Sequence, residues 1–153
     1  MPLGTATEER GDVAGRIDSA TQMRELLDEL LRVVDSDPEL GPRLRSVGIT
    51  YRYVFTDLDL SLIIAGSEEG THNLRWSFSD QPEWMPSLTL AMTADVANRY
   101  LQGRENLAIA MARGEIRCSC KARAALELLP ISPALSERYR RVLKRRAPHL
   151  LLR

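Results

Sequence analysis

The sequence has few of the residues that make a catalytic, redox or metal site recognisable. It contains two cysteines and two histidines, His72 and His149, among 153 residues. It has no Gly-x-Ser-x-Gly, phosphate-loop or dinucleotide-binding pattern. A protein metal site would need further ligands beside the two imidazoles. We therefore predict no catalytic residue set, no metal and no cofactor.

A net charge and a long apolar run are also missing. Lysine plus arginine and aspartate plus glutamate each number 21, so the net charge is +0. No overall field would attract nucleic acid, and we expect no nucleic-acid partner. No segment approaches the ~20 apolar residues of a membrane span. The first residues have no apolar leader region, so we expect a cytoplasmic protein.

The two cysteines, Cys118 and Cys120, stand two residues apart in an alternating segment. On a strand, both side chains would lie on one face, separated by two rises of ~3.3 Å each. That spacing would strain a disulfide bond. We predict two small, buried apolar residues instead.

The hydrophobic pattern predicts a single α+β domain over residues 18–153, preceded by a mobile arm over residues 1–17. Alternating apolar and polar residues predict five strands, at 49–55, 58–64, 73–79, 87–92 and 116–121. Each predicted strand has one apolar and one polar face. This is typical of a five-stranded, mostly antiparallel sheet with helices covering one face.

The clearest predicted helix runs from Ser19 to Asp35, with capping-box spacing between Ser19 and Gln22. Its apolar residues form one stripe, which predicts a face buried in the core. The stripe contains Met23, Leu26, Leu27, Leu30, Leu31 and Val34. A short second helix is expected after Asp37-Pro38, ending at Gly48.

Residues 86–121 predict the order strand, short helix, short helix, strand. Thr93 is a suitable N-cap for the first helix, and Asn106 or Glu105 begins the second. Gly103 and Gly114 are suitable helix ends. The second short helix is apolar throughout, and the first carries the apolar residues Val96 and Leu101. We interpret both helices as a lid over the sheet that encloses an apolar cavity.

The stretch resembles the sterol carrier protein 2 (SCP2-like) sterol-binding family. The resemblance is strongest over residues 86–129, where an apolar helix is also expected at 122–129. The matching residues are Leu88, Leu90, Asp95, Leu101, Gly103, Ala110, Gly114, Ile116, Ala125, Leu128 and Leu129. The resemblance implies a cavity between sheet and helices that binds and carries a lipid or another hydrophobic small molecule.

We predict that inward-facing residues of the strands, the lid helices and the loop after the third strand line this cavity. Tyr100 is a candidate polar anchor, and Trp84 and Met85 are candidates for the cavity rim. The predicted lining is Leu62, Ile64, Trp76, Phe78, Met85, Leu90, Met92, Val96, Tyr100, Leu101, Ile109, Met111 and Cys118.

Two alternative functions stay open from the sequence. The same cavity can hold a hydrophobic substrate for cyclisation or rearrangement, assisted by Tyr100, Arg99 or Trp76. Alternatively, the chain is an accessory subunit whose basic C-terminal helix docks on an anionic membrane surface or an acidic protein. The basic residues of that helix are Arg138, Arg140, Arg141, Lys144, Arg145 and Arg146.

Overall fold

The computed structural model describes residues 16–48, 50–79, 83–120 and 132–152. The helices are α1 (Ala20–Ser36), α2 (Leu40–Val47), α3 (Ala94–Leu101), α4 (Leu107–Ala112) and α5 (Ser132–Arg146), followed by a 3₁₀ turn at Pro148–Leu150. The strands are β1 (Tyr51–Phe55), β2 (Leu60–Gly66), β3 (Leu74–Ser77), β4 (Leu88–Met92) and β5 (Arg117–Cys120). Most of the expected arm and the helix expected at 122–129 lie outside the described residues. Ile17, which was assigned to the arm, is buried in the core.

The five strands form one sheet in the order β3-β2-β1-β4-β5. The β1–β2, β2–β3 and β4–β5 pairs are antiparallel, whereas β1 and β4 run parallel. This confirms the predicted five-stranded, mostly antiparallel sheet and the hairpin between β1 and β2. The parallel pair arises because the chain crosses from the β3 edge to the far side of β1 before it forms β4.

The strand register gathers most of the apolar side chains on one face of the sheet. Tyr53 at the centre of β1 lies opposite Leu62 on β2 and Leu90 on β4. Trp76 continues this face onto β3, where it pairs with Ile64. Because side chains alternate along a strand, this register gives the helices one continuous apolar surface to cover.

The opposite face of the sheet carries polar side chains, the buried Ile63 and Ala65 of β2, and the loop residue Trp84. Arg75 of β3 places its guanidinium carbon 4.4 Å from the centre of the Trp84 ring, a cation–π geometry. Trp84 therefore lies at the outer face, and not at the rim of a cavity on the inner face. The sequence could not distinguish these two placements. In either one, the large apolar side chain of a loop residue packs against another part of the protein.

The predicted helix caps are present. Ser19 accepts a hydrogen bond from the Gln22 amide at 3.1 Å and begins α1. Thr93 and Asn106 cap α3 and α4 in the same way. Gly48 ends α2 with a φ of 69°, a backbone conformation that costs glycine little.

Asp37 joins the first two helices to the last one. One carboxylate oxygen accepts hydrogen bonds from the Glu39 and Leu40 amides, at 2.9 and 2.8 Å. The other pairs with Arg138 of α5 at 2.9 Å. The Leu40 amide, the Arg138 guanidinium and the Glu39 amide together lower the pKa of Asp37 to about 2. Asp37 therefore stays ionised and holds α5 beside the α1–α2 junction.

Candidate functional site: an apolar cavity and its cleft

An apolar cavity of about 70 Å³ lies between the helices and the inner face of the sheet. Side chains from four helices and four strands line it, and nearly all of its wall is hydrocarbon or aromatic. The lining residues are Leu27, Leu30, Leu31, Leu44, Tyr51, Tyr53, Phe55, Leu62, Ile64, Leu74, Met92, Ala97, Tyr100, Leu101 and Leu135.

The amphipathic stripe of α1 supplies one wall of the cavity. Leu27, Leu30 and Leu31 recur at the spacing that puts them on one face of a helix. Across from them, Ala97 of α3 contributes only a methyl group. The strands contribute alternate residues, because only every second side chain faces the helices.

The size of the cavity limits what it can hold in this conformation. Pockets for small molecules are typically ~300–1,000 Å³. A cavity of about 70 Å³ accommodates only a short part of a hydrocarbon chain. A longer occupant therefore requires the helices to move away from the sheet or must extend out of the cavity.

A wider cleft of about 460 Å³ adjoins the cavity and is open on one side. It lies between the end of α3, the α3–α4 connection and the start of α5. Tyr53, Tyr100, Leu101 and Leu135 line both spaces, so the cleft forms the mouth of the cavity. The other cleft residues are Gln102, Gly103, Arg104, Glu105, Asn106, Leu107, Ser132, Pro133 and Ser136.

Two tyrosines stand where the cavity meets the cleft. Within the described residues, neither the Tyr53 nor the Tyr100 hydroxyl has a hydrogen-bond partner. Tyr139, by contrast, donates to the Asn98 side-chain oxygen at 3.0 Å. Burial raises the pKa of Tyr53 and of Tyr100, and the neighbouring Tyr100 and Tyr51 raise the pKa of Tyr53 further. Both phenols are therefore neutral near pH 7 and available as donors.

Five of the residues predicted to line a cavity do line this one. They are Leu62, Ile64, Met92, Tyr100 and Leu101. Leu90 and Val96 are buried elsewhere in the core. Trp76 and Phe78 pack against the core edge, where Trp76 donates through Nε1 to Asp28 at 2.9 Å and Arg24 lies over the Phe78 ring.

Three predicted lining residues point outward, which corrects the expectation of inward positions. Met85, Ile109 and Met111 are 77%, 50% and 42% exposed. Met85 lies in the loop before β4, and α4 buries only Ala110. A helix composed entirely of apolar residues gives no polar face from which its orientation can be read. The inner lid is therefore α3, whereas α4 contributes only Leu107 to the cleft.

The cysteine prediction is also corrected. Cys118 packs partly buried against the core, as expected for an inward position on β5. It is disulfide-bonded in the structure, so the expectation of a free, purely apolar side chain is wrong. Strand spacing alone led us to treat such a bond as strained. The side chain of Cys120 lies outside the described residues.

A buried polar network on the back of α3 was not anticipated from the sequence. Asn98 and Gln102 are both fully buried. Their side-chain amides each donate to the Leu150 carbonyl oxygen, at 3.1 and 2.9 Å. The Gln102 oxygen accepts from the Leu152 amide at 2.9 Å and from Arg140 at 3.2 Å. We call these residues, together with Tyr139, the C-terminal clasp, because they fasten the chain end to α3.

Arg99 faces away from the cavity. Its guanidinium pairs with Asp95, Glu105 and Glu115, at 2.6, 3.5 and 3.2 Å. These pairs link α3 to the α3–α4 connection and to the start of β5. Of the three side chains considered for an enzymatic role, only Tyr100 lines the cavity.

The basic residues of α5 are largely engaged within the molecule. Arg138 pairs with Asp37, whereas Arg145 and Arg146 both pair with Glu29 of α1, at 2.9 and 3.5 Å. Arg141 pairs with Glu137 in the preceding turn of α5. The pairs made by Arg138, Arg145 and Arg146 join α5 to Asp37 and to α1, although Arg145 and Arg146 stay largely exposed.

Two further features concern the described residues, 16–48, 50–79, 83–120 and 132–152. No group of three or more histidine, cysteine, aspartate or glutamate side chains in those ranges is arranged to hold a metal ion. Nor do those ranges contain a helix with the length and apolar character needed to cross a membrane.

Comparison with known proteins identifies the fold. No protein-family model matches the sequence, and no curated protein sequence does. Sterol carrier protein 2 from Yarrowia lipolytica in its apo form is similar in structure, with a TM-score of 0.54, 10% identity and coverage of 84% of this chain and 97% of that one. The sterol carrier protein domain 2 of Helicoverpa armigera is similar at a TM-score of 0.55 and 15% identity, over 74% and 87% of the two chains.

A much larger protein contains the same fold. A double mutant of a sec-alkyl sulfatase matches with a TM-score of 0.54 and 15% identity over 70% of this chain, which spans only 16% of the sulfatase. Together these similarities define an SCP2-like α+β fold, as the sequence resemblance implied. At such low identity they establish the fold and leave the function to be argued from the site.

Proposed function

We propose that this protein binds a lipid or another hydrophobic small molecule in the apolar cavity and carries it shielded from water. The observation that supports this most is the continuity between the cavity and the open cleft. An enclosed void is a packing defect, whereas a void with an apolar mouth offers a route for entry. The sterol carrier names of structural neighbours agree with the proposal.

Burial of the apolar part of the ligand provides the affinity in this proposal. Each Å² of apolar surface removed from water contributes about 25 cal/mol. The small cavity means that the ligand enters by separating Leu101 and Leu135 at the mouth. Part of the burial energy therefore offsets the cost of opening, and the ligand-bound form is wider than the conformation described above.

Leu135→Trp tests the route of entry. Leu135 lies at the junction of cavity and cleft and is half-buried. The tryptophan ring can therefore fill the mouth while part of it extends into the open cleft. We expect at least a tenfold weaker affinity, about 1.4 kcal/mol, for a fluorescent long-chain fatty acid in a titration.

Val54→Trp is the matched control, because it adds the same ring to the opposite face of β1. Urea unfolding should be cooperative for both variants. Equal affinity in the two variants and the wild type would contradict entry through this mouth. Native mass spectrometry and solvent extraction of the wild type, purified from its own host, then identify the bound molecule.

A further inference from the structure

The outward face of α4 is an exposed apolar patch. All six residues of the helix are apolar, yet only Ala110 is buried. Ile109 and Met111 are two of the three large apolar side chains that are exposed in the described part of the chain. Ala108 and Ala112 are exposed as well. At about 3.6 residues per turn, these alanines lie opposite Ala110 and between the two larger side chains. Exposed apolar patches are typical of interaction surfaces.

Arg99 of α3 holds both ends of this helix in place. Its guanidinium pairs with Glu105 before α4 at 3.5 Å and with Glu115 after α4 at 3.2 Å. The carbonyl oxygen of Ala110 also accepts hydrogen bonds from the Glu115 and Ile116 amides, at 2.9 and 3.3 Å. The apolar face is therefore fixed in its outward orientation. A partner would bind it without the entropic cost of ordering the helix first.

Three arginines flank α4. Arg104 precedes the helix, Arg113 follows it directly, and Arg117 begins β5 and lines the same surface cleft as Gly114. All three are exposed, and none of them forms an ion pair with another described residue. The carboxylates near them belong to the Arg99 network and are at most 40% exposed. The unpaired charge beside the apolar face is therefore positive.

The chemistry of this surface favours an acidic protein as its partner. Methionine and arginine are enriched in protein–protein interfaces, and arginine pairs with a carboxylate through two parallel hydrogen bonds. A second copy of this chain would bring like charges together, which is unfavourable. Helices that lie on a membrane usually present bulky anchors such as tryptophan or phenylalanine, whereas α4 has no aromatic residue.

We propose that α4 and its flanking arginines form a docking surface for a protein whose contact area is apolar and rimmed by aspartate or glutamate. Apolar side chains of the partner pack on the two alanines between Ile109 and Met111, and its carboxylates pair with the arginines. This inference does not rest on the proposed function, because Ile109 and Met111 line neither the cavity nor the cleft.

Photo-crosslinking in cells of the protein's own host identifies the partner. Ala112→p-benzoylphenylalanine places a photoreactive ring on the docking surface. Thr71→p-benzoylphenylalanine is the control, because Thr71 is exposed in the turn between β2 and β3. We expect the first variant alone to form a crosslink to another protein. Mass spectrometry of the crosslinked peptide then gives the contact segment, which should contain aspartate or glutamate beside apolar residues.

Titration with the purified partner tests the assigned contacts. We expect Arg113→Glu to weaken the affinity tenfold or more, because it places like charges together. Ile109→Ser/Met111→Gln should weaken it to a similar extent through the loss of apolar contact. Arg43→Glu is the matched control, since Arg43 is an exposed arginine on α2, and it should bind like the wild type. Lysine in place of the partner's crosslinked carboxylates should restore binding to the Arg113→Glu variant.

Four results would overturn the inference. The first is a crosslink no stronger than that of the Thr71 control, and the second is equal affinity of the wild type and Arg113→Glu for the partner. The third is a crosslink to the chain itself together with concentration-dependent sedimentation, which would assign the surface to a second copy. The fourth is binding to phosphatidylcholine–phosphatidylglycerol vesicles that Arg113→Glu abolishes, without a protein crosslink, which would assign it to a membrane.

The same variants separate this inference from the proposed function. Each should unfold in urea at the wild-type midpoint and bind the fluorescent fatty acid with wild-type affinity, because the changed side chains lie outside the cavity and the cleft. A wild type that does not bind the fatty acid would contradict only the proposed function. A wild type that binds it, with any of the four results above, would overturn only the docking surface.

Discussion

At the scale of single residues, Asp35 connects the end of α1 to the start of β3. Its carboxylate accepts hydrogen bonds from the Asn73 and Leu74 amides, at 2.7 and 2.9 Å, and lies 2.9 Å from Nδ1 of His72. Burial opposes ionisation of Asp35, but the hydrogen bonds from His72, Leu74 and Asn73 prevail and lower its pKa. The same hydrogen bond raises the pKa of His72.

This pair predicts a pH dependence with a definite sign. Protonated His72 contributes its full stabilisation below pH 6.5, the ordinary pKa of an imidazole. This contribution is lost as the pH rises through the raised pKa of His72. Ionised Asp35 contributes its full stabilisation above pH 3.8, the ordinary pKa of an aspartate. This contribution is lost as the pH falls through the lowered pKa of Asp35. The pair is therefore strongest between pH 3.8 and 6.5.

His72→Gln should accordingly destabilise the protein more at about pH 5.5 than at about pH 8.5. Urea unfolding at both pH values measures the difference. His149→Gln is the control, because His149 is exposed and lies at the 3₁₀ turn far along the chain. A stability loss of the same size at both pH values would show that protonation of His72 does not contribute.

At the scale of elements, α3 has three sides with different roles. Ala97, Tyr100 and Leu101 form part of the cavity wall, whereas Asn98 and Gln102 hold the chain end through the C-terminal clasp. Arg99 fixes a third side through its acidic partners. The side of α3 that forms the cavity wall is therefore held from behind by polar contacts within the protein.

Gln102→Leu tests the clasp. The change removes four hydrogen bonds and leaves the Leu152 amide without its side-chain acceptor. We expect the free energy of unfolding to fall by about 1–3 kcal/mol. Carboxypeptidase should also release the C-terminal residues faster, because Leu150–Leu152 lose their attachment to α3.

Gln22→Leu is the matched control for this variant. Gln22 is only partly buried on α1, and its described hydrogen bond to Ser19 uses the backbone amide. Its stability should change by less than about 0.5 kcal/mol, as is usual for a surface substitution. Digestion of the Gln102→Leu chain end at the wild-type rate would contradict the clasp.

At the scale of the whole molecule, the small cavity and the larger cleft predict that the proposed ligand changes the protein near the mouth when it binds. Dodecanoic acid at 100 times its dissociation constant should raise the free energy of unfolding by about 2.7 kcal/mol. Amide hydrogen exchange should slow most at residues 101–107 and 132–136, which border the cleft. The turn at residues 67–72 lies beyond the site and serves as the internal reference.

Uniform slowing across all amides, without an extra effect at the cleft, would contradict local closure around the ligand. It would instead indicate that the ligand only shifts global unfolding. No slowing at any position would argue against binding itself.

Much of the fold follows from local pattern. Tyr51, Tyr53 and Phe55 alternate with Arg52 and Val54, and the register places all three on the helix-covered face. Ser19 and Gly48 mark helix ends because their chemistry suits only those backbone positions. Periodicity and capping act over a few residues, so the sequence by itself determines element type, approximate bounds and buried face.

Tertiary structure decided the rest. Strand order depends on which side of β1 the chain returns to, and periodicity is the same on either side. The outward orientation of Ile109 and Met111 depends on neighbours, because α4 has no polar face to orient it. The cavity is the space left between side chains from eight elements. Such a space results from three-dimensional packing, and no local pattern in the sequence specifies it.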